Sequence, residues 1–345
     1  MTTNYPKVAV VILNWNGRYF LEKFLPSVFN STYPNLSFVL GDNASSDDSV
    51  SFVADNYPTI EIVQNDTNKG FAGGYNAVLE QVEADYFVLL NSDVEVTDNW
   101  IEPIIALLES NPDMAAAQPK IRAVHDRTKF EHAGASGGFI DAYGYPFCRG
   151  RILSHTEEDS GQYDDQIDIF WATGAALFIK SKAWRSAGGF DADFFAHMEE
   201  IDLCWRLKRM GYRIAVCPSA VVYHVGGGTL NASNPRKTFL NFRNNLMMLQ
   251  KNLPFLSACY VIFIRLWLDL LALLQFLAKG KWGDAWAVSR AHQEFFWYFF
   301  RTASKRKNIT GPFLPQGRYN KLLIFAFFVK GIKKFSGLPS NDFVR

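Results

Sequence analysis

The tripeptide Asn91-Ser92-Asp93 has the composition of a cation-binding site. It directly follows the apolar residues 87–90, which are typical of a strand buried on both faces. Amide and carboxylate oxygens at the tip of such a strand can hold a hard divalent cation and leave positions open for phosphate oxygens. A helix N-cap or a turn uses the same residue types, so the tripeptide alone leaves both interpretations open.

His224 is a second candidate ligand, because it follows the short apolar run 221–223 at the end of another predicted strand. An imidazole nitrogen at that place could bind the same cation as Asp93. A histidine with a purely structural role fits the pattern equally well, so the sequence leaves the function of His224 open.

Three carboxylates, Glu199, Glu200 and Asp202, mark the start of a predicted helix over residues 199–210. Carboxylates near a helix N-terminus are favoured by the helix dipole, so part of this cluster is ordinary. A general base needs a carboxylate beside the reacting hydroxyl. Successive side chains of a helix point about 100° apart, so only one of the two glutamates can face a given site.

Two further segments have the composition of a nucleotide-binding site. Asp42 and Asn43 follow the apolar residues 39–41 and offer oxygen acceptors to a base N–H group or to ribose hydroxyls. Residues 65–76, NDTNKGFAGGYN, combine a Gly-rich turn with a helix start, where backbone N–H groups can meet a phosphate. The sequence has no G-x-x-x-x-G-K-[ST] motif, which excludes a P-loop NTPase. It also lacks G-x-G-x-x-G after its first strand, which disfavours a dinucleotide-binding Rossmann domain.

These clusters follow a regular alternation of predicted strands and helices. Apolar, β-branched runs alternate with segments of helical periodicity over residues 1–110. This order predicts an α/β fold, a mainly parallel sheet with helices on both faces, whose ligands bind beyond the carboxyl ends of the strands. Residues 126–170 are polar and Gly-rich and are expected to form loops. The predicted strands are 8–13, 36–40, 60–64, 86–90, 175–179, 213–217 and 220–224, and the predicted helices are 18–29, 47–56, 73–82, 99–110 and 199–210.

The 345 residues are 48% hydrophobic, 15% aromatic and 20% charged, which is enough to bury a large core. This composition excludes disordered, collagen-like, disulfide-rich and purely coiled-coil proteins. The four cysteines form no paired framework, which is typical of a reducing compartment. The formal net charge of +1 hides a division of the chain, because residues 1–278 carry 22 Lys and Arg against 31 Asp and Glu, whereas residues 279–345 carry 13 against 3.

The basic final part of the chain is also aromatic, and we predict that it contacts a membrane surface. Residues 255–278 are strongly apolar, but Arg265 and Asp269 would each cost about 2.5–3.5 kcal/mol at the centre of a bilayer, which disfavours a full span. The aromatic residues of 282–300 and the basic cluster 305–307 are typical of an interfacial anchor on anionic lipid. The alternative to a membrane contact is a helical domain that packs on the N-terminal α/β part and has a basic surface.

We therefore predict an α/β domain over residues 1–250 and an α-helical, membrane-associating region over residues 251–345. The N-terminal residues read as a first strand rather than as a secretory signal. The chain is accordingly expected at the cytoplasmic face of the plasma membrane, as a peripheral or monotopic protein. No nucleic-acid partner is expected.

Eight sequence blocks, in their order along the chain, resemble the inverting glycosyltransferases of family 2, and most closely their rhamnosyltransferase-like branch. The resemblance covers about residues 6–250 and implies a GT-A fold that binds a nucleoside-diphosphate sugar. It implies transfer of a sugar, rhamnose being one candidate, from a UDP- or dTDP-linked donor to a hydroxyl of a glycan or lipid-linked glycan in polysaccharide biosynthesis. The blocks are VAVVILNWNG, GDNASSDDS, NDTNKGFAGGYN, LLNSDVEV, TGAALFIK, GGFDADFF, EEIDLCWRLKRMGY and VYHVGGGT.

The resemblance implies a role for each matching position. Asn91-Ser92-Asp93 stands in place of the family's D-x-D motif, with Asp93, Asn91 and His224 as the ligands of Mg²⁺ or Mn²⁺. Glu200 matches the second acid of the family's E-D pair and becomes the expected catalytic base. The residues expected to bind the nucleotide sugar are Asn14, Asn16, Asp42, Asn68, Gly70, Asn76, Ser92 and Asp93. Those expected on the sugar and acceptor side are Trp171, Thr173, Gly174 and Glu199.

Two positions depart from the family pattern. Asn91 replaces an Asp, which gives a neutral and weaker metal ligand, and Glu200 replaces an Asp, which makes the base one methylene longer. An inactive glycosyltransferase-like subunit for binding or assembly at the membrane is the alternative, and the acids Asp42, Asp93 and Glu200 argue against it. Sugar-nucleotide pyrophosphorylases, a related class, have a G-x-G-T-R loop where this chain has NWNG at residues 14–17.

Overall fold

The computed structural model describes residues 5–226, 234–306 and 315–344. Residues 227–229 of the block VYHVGGGT and Lys307 of the basic cluster lie outside these described residues. The strands are β1 Val8–Asn14, β2 Leu36–Asp42, β3 Glu61–Gln64, β4 Tyr86–Asn91, β5 Val94–Val96, β6 Met114–Ala123, β7 Gly138–Asp141, β8 Pro146–Cys148, β9 Arg151–Ile152, β10 His155–Thr156, β11 Ile167–Asp168, β12 Ala176–Lys180, β13 Arg213–His224 and β14 Arg318–Tyr319. The α-helices are α1 Arg18–Phe29, α2 Ser49–Asn56, α3 Gly70–Leu79, α4 Glu102–Ser110, α5 Ser181–Ala187, α6 Glu199–Arg209, α7 Pro235–Asn252, α8 Phe255–Ala278, α9 Trp282–Trp297, α10 Phe299–Ser304 and α11 Leu323–Phe328.

A large sheet with the strand order β11-β13-β6-β12-β4-β1-β2-β3 carries the predicted site, and β5 pairs with β13 beside it. β1 pairs in parallel with β2 and β4, and β2 pairs in parallel with β3, which confirms the α/β class. β12 runs antiparallel between β4 and β6, so the sheet, predicted as mainly parallel, is mixed when taken as a whole.

Helices cover both faces of this sheet because its strands are apolar on both sides. On β1, Val8, Val10 and Ile12 belong to a core that includes residues of α1, α2 and α4. Ala9 and Val11 belong to the opposite core, which includes residues of α3, α5 and α6. Successive strand side chains point to opposite faces, so a continuous apolar run is what a strand between two helical layers requires.

Several predicted boundaries shift. α3 begins at Gly70 rather than at residue 73, and Gly70 has a positive φ of 70°, which glycine adopts without strain. α4 begins three residues later than predicted, with Pro103 in its first turn, where a missing N–H is not needed. The predicted strands 213–217 and 220–224 form one strand, β13, with a shift of register after Cys217. Pro218 follows directly and cannot donate to the ladder, which accounts for the irregularity.

Residues 126–170, predicted to be loops, also contribute four short strands to a second sheet, and the prediction missed these strands. The strand order of the second sheet is β10-β9-β8-β7-β14. Strands β7 to β10 are each between two and four residues long. Strands this short contain too few residues for a periodic pattern, so the sequence does not reveal them.

The end of the chain returns to this second sheet. β14 pairs in parallel with β7. The rings of Phe335 and Phe343 lie 4.8 Å and 5.7 Å from that of Phe139, measured between centroids. The region predicted to be helical over residues 251–345 is therefore helical through α10, and residues 315–344 then form mixed structure against the α/β body. The division of the chain at residue 250 stays a prediction.

Candidate active site

The carboxyl ends of β1 and β2 bring Asn14 and Asp42 together. The two residues are register partners and both are buried. Asn14 Nδ2 donates to Asp42 Oδ1 at 3.3 Å and to Ser49 Oγ at 2.8 Å. Asn14 Oδ1 is buried and has no hydrogen-bond partner among the described residues. Leaving such an acceptor unpaired costs about 1–3 kcal/mol, so this oxygen is suited to a ligand N–H group.

Asn16 and Gly17 continue this edge of the sheet. Asn16 has a φ of 52°, and its Oδ1 accepts a hydrogen bond from the backbone N–H of Ser46 at 2.7 Å. A Cβ atom at Gly17 would lie 2.4 Å from Asn14 Oδ1 and 3.4 Å from Ser92 Oγ. Glycine is therefore required here, and Asn14 and Ser92 border the same small space.

Asn43 joins the Gly-rich turn to the same edge. Its Nδ2 donates to Asn68 Oδ1 and to the main-chain oxygen of Gly70, both at 3.0 Å. Its Oδ1 accepts a hydrogen bond from the backbone N–H of Lys69 at 3.1 Å. Asn68 Oδ1 also accepts from the Gly70 N–H at 2.9 Å. The start of α3 is thus fixed next to Asp42 by side chains on both sides of the turn.

Asp93 and His224 form a buried pair at the predicted metal site. His224 Nε2 lies 3.1 Å from Asp93 Oδ1 and 3.4 Å from Asn91 Nδ2. On the other side of the ring, His224 Nδ1 lies 3.4 Å from Glu131 Oε2. Burial opposes a charge on the imidazole, but the Asp93 and Glu131 carboxylates outweigh it and raise the pKa of His224 to about 10.

Glu131 is the member of this group that the sequence does not predict. It lies in the segment that was expected to form loops, and no spacing pattern distinguishes it from other acids there. A carboxylate behind an imidazole is the usual way in which a protein fixes the ring of a metal-binding histidine. The position of Glu131 therefore favours a ligand role for His224 over a purely structural one.

The imidazole and the carboxylate at this point fit a divalent cation. His224 Nε2 and Asp93 Oδ1 come together, and Asn91 lies beside them with its Nδ2 towards the imidazole, so its amide would have to turn to offer the oxygen. A mixture of imidazole and oxygen donors suits Mn²⁺ better than Mg²⁺, which prefers oxygen alone. Within residues 5–226, 234–306 and 315–344, no group of three His, Cys, Asp or Glu side chains forms a metal-sized cluster. A cation held here would therefore keep positions open for phosphate oxygens and water.

Glu199 and Glu200, the two predicted acids at the start of α6, each have one side-chain oxygen without a hydrogen-bond partner among the described residues. Glu199 Oε2 and Glu200 Oε2 are buried, and neither has a hydrogen-bond partner in the described parts of the chain. Burial raises the pKa of Glu200 to about 7. Burial and the neighbouring Glu200 charge raise the pKa of Glu199 well above its ordinary value. A carboxylate that titrates near neutral pH and has a free oxygen can accept a proton from a substrate hydroxyl.

Gly174 connects these acids to the metal pair. A Cβ atom at Gly174 would lie 4.0 Å from Glu200 Cβ and 3.0 Å from the Phe71 ring. The next residue, Ala175, accepts a hydrogen bond through its main-chain oxygen from the Asn91 N–H at 3.0 Å. Asn91 and Glu200 are thus both adjacent to residues 174–175 of the main chain.

Three predicted site residues have their polar atoms engaged within the protein. Trp171 Nε1 donates to the main-chain oxygen of Phe139 at 2.8 Å, and the ring is buried. Thr173 Oγ1 donates to a main-chain oxygen at 2.7 Å. Asn76 bonds through both ends of its amide to the main chain of Phe190. The structure brings these three side chains into its packing, whereas Asn14, Asp42, Asn91 and Asp93 lie at or just beyond the carboxyl ends of β1, β2 and β4.

The family model of glycosyl transferase family 2 matches residues 9–176, which include the strands that carry Asn14, Asp42 and Asn91. The chain therefore contains a family 2 glycosyltransferase domain. It is 26% identical over 239 residues to the N-acetylglucosaminyl-diphospho-decaprenol L-rhamnosyltransferase of Mycobacterium tuberculosis. That match covers 65% of this chain and 76% of the relative, and it agrees with the rhamnosyltransferase-like branch predicted from the motifs.

Solved structures show that this glycosyltransferase has the expected GT-A fold. A mannosyltransferase from Pyrobaculum calidifontis, in complex with GDP-Man and Mn²⁺, aligns with a TM-score of 0.54 at 16% identity, over 88% of this chain and 85% of the other. GalNAc-T7 with UDP, GalNAc and Mn²⁺ aligns with a TM-score of 0.56 at 15% identity over 72% of this chain. This chain spans about half of GalNAc-T7, 48% of its length.

Proposed function

We propose that this glycosyltransferase transfers a sugar, with inversion, from a UDP- or dTDP-linked donor to a hydroxyl of a glycan or lipid-linked glycan. The carboxylate of Glu200 is the observation that carries the proposal. Its Oε2 is buried and has no partner among the described residues, and because its pKa is about 7, about half of the side chains are ionised at neutral pH. A general base that accepts a proton from a substrate needs an unpaired carboxylate oxygen and a pKa near the working pH.

Glu200 would accept the proton of the acceptor hydroxyl while the oxygen of that hydroxyl attacks the anomeric carbon. The diphosphate leaves from the opposite face of the sugar, so a single displacement inverts the anomeric centre. Asp93, His224 and Asn91 would hold Mg²⁺ or Mn²⁺, whose positive charge stabilises the leaving diphosphate when the cation is bound. Burial and the Glu200 charge raise the pKa of Glu199, which favours its protonated form. It can therefore donate a hydrogen bond to the sugar or to the acceptor.

The donor would lie along the carboxyl edge of the large sheet. Asn14 Oδ1 is the acceptor best placed for a base N–H, and Asp42 and Asn16 lie beside it for the nucleoside. Asn68 and Gly70, at the start of α3, would face the diphosphate, where a helix N-terminus favours negative charge. Ser92 and Gly174 lie between the nucleoside residues and Glu200. Rhamnose is the proposed sugar because the mycobacterial relative is named a rhamnosyltransferase.

A panel of UDP-, dTDP- and GDP-sugars, each with Mn²⁺, tests the donor. We expect one UDP- or dTDP-sugar, dTDP-rhamnose being the first candidate, to raise the melting temperature above the value with the nucleotide alone, because ligand binding stabilises the native state. The anomeric configuration of the product, read by NMR, tests inversion. Retention of configuration would contradict the single-displacement mechanism. Absence of nucleoside diphosphate release from every donor would overturn the transfer function.

The lipid-linked acceptor and the membrane surface are supported by the exposed aromatic face of α8 and α9. Phe263, Trp267 and Leu271 on α8 are each 58–62% exposed, and Trp282 and Trp286 on α9 are 70% and 62% exposed. Exposed aromatic and aliphatic side chains of this kind suit the interface of a bilayer. The name of the mycobacterial relative includes a decaprenol-linked acceptor. We propose attachment at the cytoplasmic face of the plasma membrane.

α8 is 24 residues long and apolar enough to cross a bilayer by length and composition. Its two charged residues, however, face the protein. Arg265 and Asp269 are buried and form an ion pair at 3.1 Å, and Arg265 Nη1 donates to Asn245 Oδ1 at 2.6 Å. Asp269 Oδ2 also lies 3.1 Å from His292 Nε2 on α9. These contacts hold one side of α8 against α7 and α9, which favours a helix that lies on the membrane surface.

A further inference from the structure

The segment between the short 3-10 helix Ala192–Phe194 and α6 has a strained backbone. Phe195, His197 and Met198 have positive φ values of 63°, 70° and 73°. A residue other than glycine in this region costs about 1–3 kcal/mol, so the segment keeps its shape only if surrounding groups hold it. Met198 directly precedes Glu199, so this shape decides where α6 begins and where its first carboxylates lie.

Asn244 of α7 holds this segment. Its Nδ2 donates to the main-chain oxygens of Phe194 and Ala196 at 2.9 Å and of His197 at 2.8 Å. The side chain is completely buried. The two N–H bonds of one amide are thus shared among three carbonyl groups outside regular secondary structure. The Phe194 oxygen also accepts from the Ala196 N–H at 2.7 Å and from Arg243 Nη2 at 3.3 Å.

Arg243 fixes the orientation of that amide. Its Nε donates to Asn244 Oδ1 at 3.0 Å, which directs the two N–H bonds of Asn244 towards the segment. Its Nη2 donates to the main-chain oxygen of Asp193 at 2.9 Å. Its third nitrogen, Nη1, forms an ion pair with Glu294 of α9. The guanidinium group therefore connects the segment to α9 as well as to Asn244.

The same segment also contacts the start of α3. The main-chain oxygen of Phe195 accepts a hydrogen bond from the Ala72 N–H at 3.0 Å. A Cβ atom at Gly70 would lie 2.5 Å from that oxygen, so only glycine allows the approach. One strained segment thus borders Gly70, on the proposed diphosphate side, and leads directly into Glu200.

We propose that Asn244, oriented by Arg243, is a positioning residue for the catalytic base Glu200. It touches neither substrate nor reacting atoms and acts through the carbonyl groups of the strained segment. This inference rests on the proposed function, since it gives Asn244 a part in the transfer step. It predicts that loss of the Asn244 amide moves Glu200 out of place while β1, β2 and the nucleoside-side residues Asn14 and Asp42 stay intact.

The variants Asn244→Ala and Asn244→Asp test this proposal. The first removes the donors and the second replaces them with a carboxylate that repels the three carbonyl oxygens. We expect kcat to fall about 100-fold in both, since a misplacement near 1 Å can have that effect, while the KM for the donor changes less than threefold. Asn241→Ala is the matched control, because Asn241 lies one turn away on α7 and its Nδ2 bonds within the helix, to the Lys237 oxygen at 2.9 Å.

The pH profile separates positioning from a general loss of structure. In Asn244→Ala, Glu200 should gain contact with water, so the acid limb of the kcat profile should shift to lower pH, whereas in Asn241→Ala it should stay in place. Lower kcat with an unshifted limb would assign Asn244 a merely structural role and overturn the proposal. Activity equal to that of the wild type in both Asn244 variants would overturn it as well.

Hydrogen exchange distinguishes failure of this inference from failure of the proposed function. Backbone amides of residues 195–200 should exchange at least tenfold faster in Asn244→Ala than in the wild type, and those of β1 and β2 should not change. If Glu200→Gln abolishes transfer but exchange in Asn244→Ala is unaltered, the function stands and the positioning role is wrong. If the wild type transfers no sugar while exchange increases as expected, the proposed function is wrong, and with it the catalytic role of Asn244.

Discussion

Glu200 is the residue on which the transfer chemistry depends. Its carboxylate has a buried oxygen with no partner in the described residues, and replacing it with an amide keeps the shape of the side chain while removing the base. We expect Glu200→Gln to reduce kcat by about 10²–10⁴-fold, the range attributed to general acid–base catalysis. Nucleotide-sugar binding, measured by calorimetry with Mn²⁺, should be unchanged. Turnover near the wild-type value would exclude Glu200 as the base.

The pH dependence of the reaction follows from the same residue. Burial raises the pKa of Glu200 to about 7, so below that pH the side chain is protonated and cannot accept a proton. We expect kcat to decrease tenfold per pH unit as the pH falls below about 7 and to level off above it. The measurement is kcat at saturating substrate between pH 5 and 9. A profile that stays flat down to pH 5 would contradict the assignment.

Replacing Glu131 tests the proposed metal site without removing a metal ligand, because Glu131 contacts the ligand His224 and not the metal. Its Oε2 lies 3.4 Å from His224 Nδ1, on the opposite side of the ring from Asp93. Loss of a carboxylate in this position typically weakens metal binding about 10–100-fold. We expect this loss for Glu131→Gln in Mn²⁺ titrations in the presence of UDP. Glu158→Gln, an exposed acid of the same part of the chain, is the control. Equal affinities in the two variants would contradict the role.

At the scale of elements, the structure depends on contacts between the second sheet and the end of the chain. The ring of Phe343 lies 5.1 Å from that of Tyr319, 5.7 Å from that of Phe139 and 6.3 Å from that of Phe147, between centroids. These contacts secure residues 315–344 against the second sheet. We expect Phe343→Ala to lower the free energy of unfolding by about 2 kcal/mol, less than for a fully buried Phe because Phe343 is half-buried.

Urea denaturation measures this effect, and Phe300→Ala is its control. Phe300 is 84% exposed, so its replacement should change the free energy of unfolding by less than about 0.5 kcal/mol. If Phe343→Ala is as stable as Phe300→Ala, the end of the chain contributes nothing to the second sheet in solution.

Some elements can be predicted from the sequence, and the reason others cannot is physical. β1 and β4 are continuous apolar runs, because each is covered on both faces, and the polar residues that follow them mark the site. β14 consists of two residues, and its partner in β7 lies more than 170 residues earlier, so no local pattern indicates the pairing. The role of Asn244 cannot be predicted either, because its hydrogen-bond partners lie far from it in the sequence. An asparagine on a helix looks like a surface residue until the three carbonyl groups that it binds are known.

At the scale of the molecule, ion pairs join the acidic and the basic part of the chain, since Arg301 and Lys305 pair with Asp193 and Asp191. The carboxylates Asp42, Asp93 and Glu200 lie at the edge of the large sheet, within the acidic part of the chain. The basic part includes α9 and α10, which pack with α7 and leave aromatic side chains exposed. α7 itself contacts both, since Arg243 bonds to the segment before α6 and pairs with Glu294 of α9. A membrane held by α8 and α9 would therefore lie on the helices that also support the catalytic segment.

The variant Trp267→Glu/Leu271→Glu tests whether that surface binds lipid. Trp267 and Leu271 are 59% and 62% exposed on α8, so two carboxylates there would leave the core intact but place charge where acyl chains should lie. We expect binding to phosphatidylglycerol vesicles, measured by co-sedimentation at low salt, to fall at least tenfold, because apolar contact and attraction to anionic lipid act together. Tyr19→Glu, at an aromatic residue of α1 that is 66% exposed, should bind like the wild type. Equal co-sedimentation of the double variant and Tyr19→Glu would show that α8 does not face the bilayer.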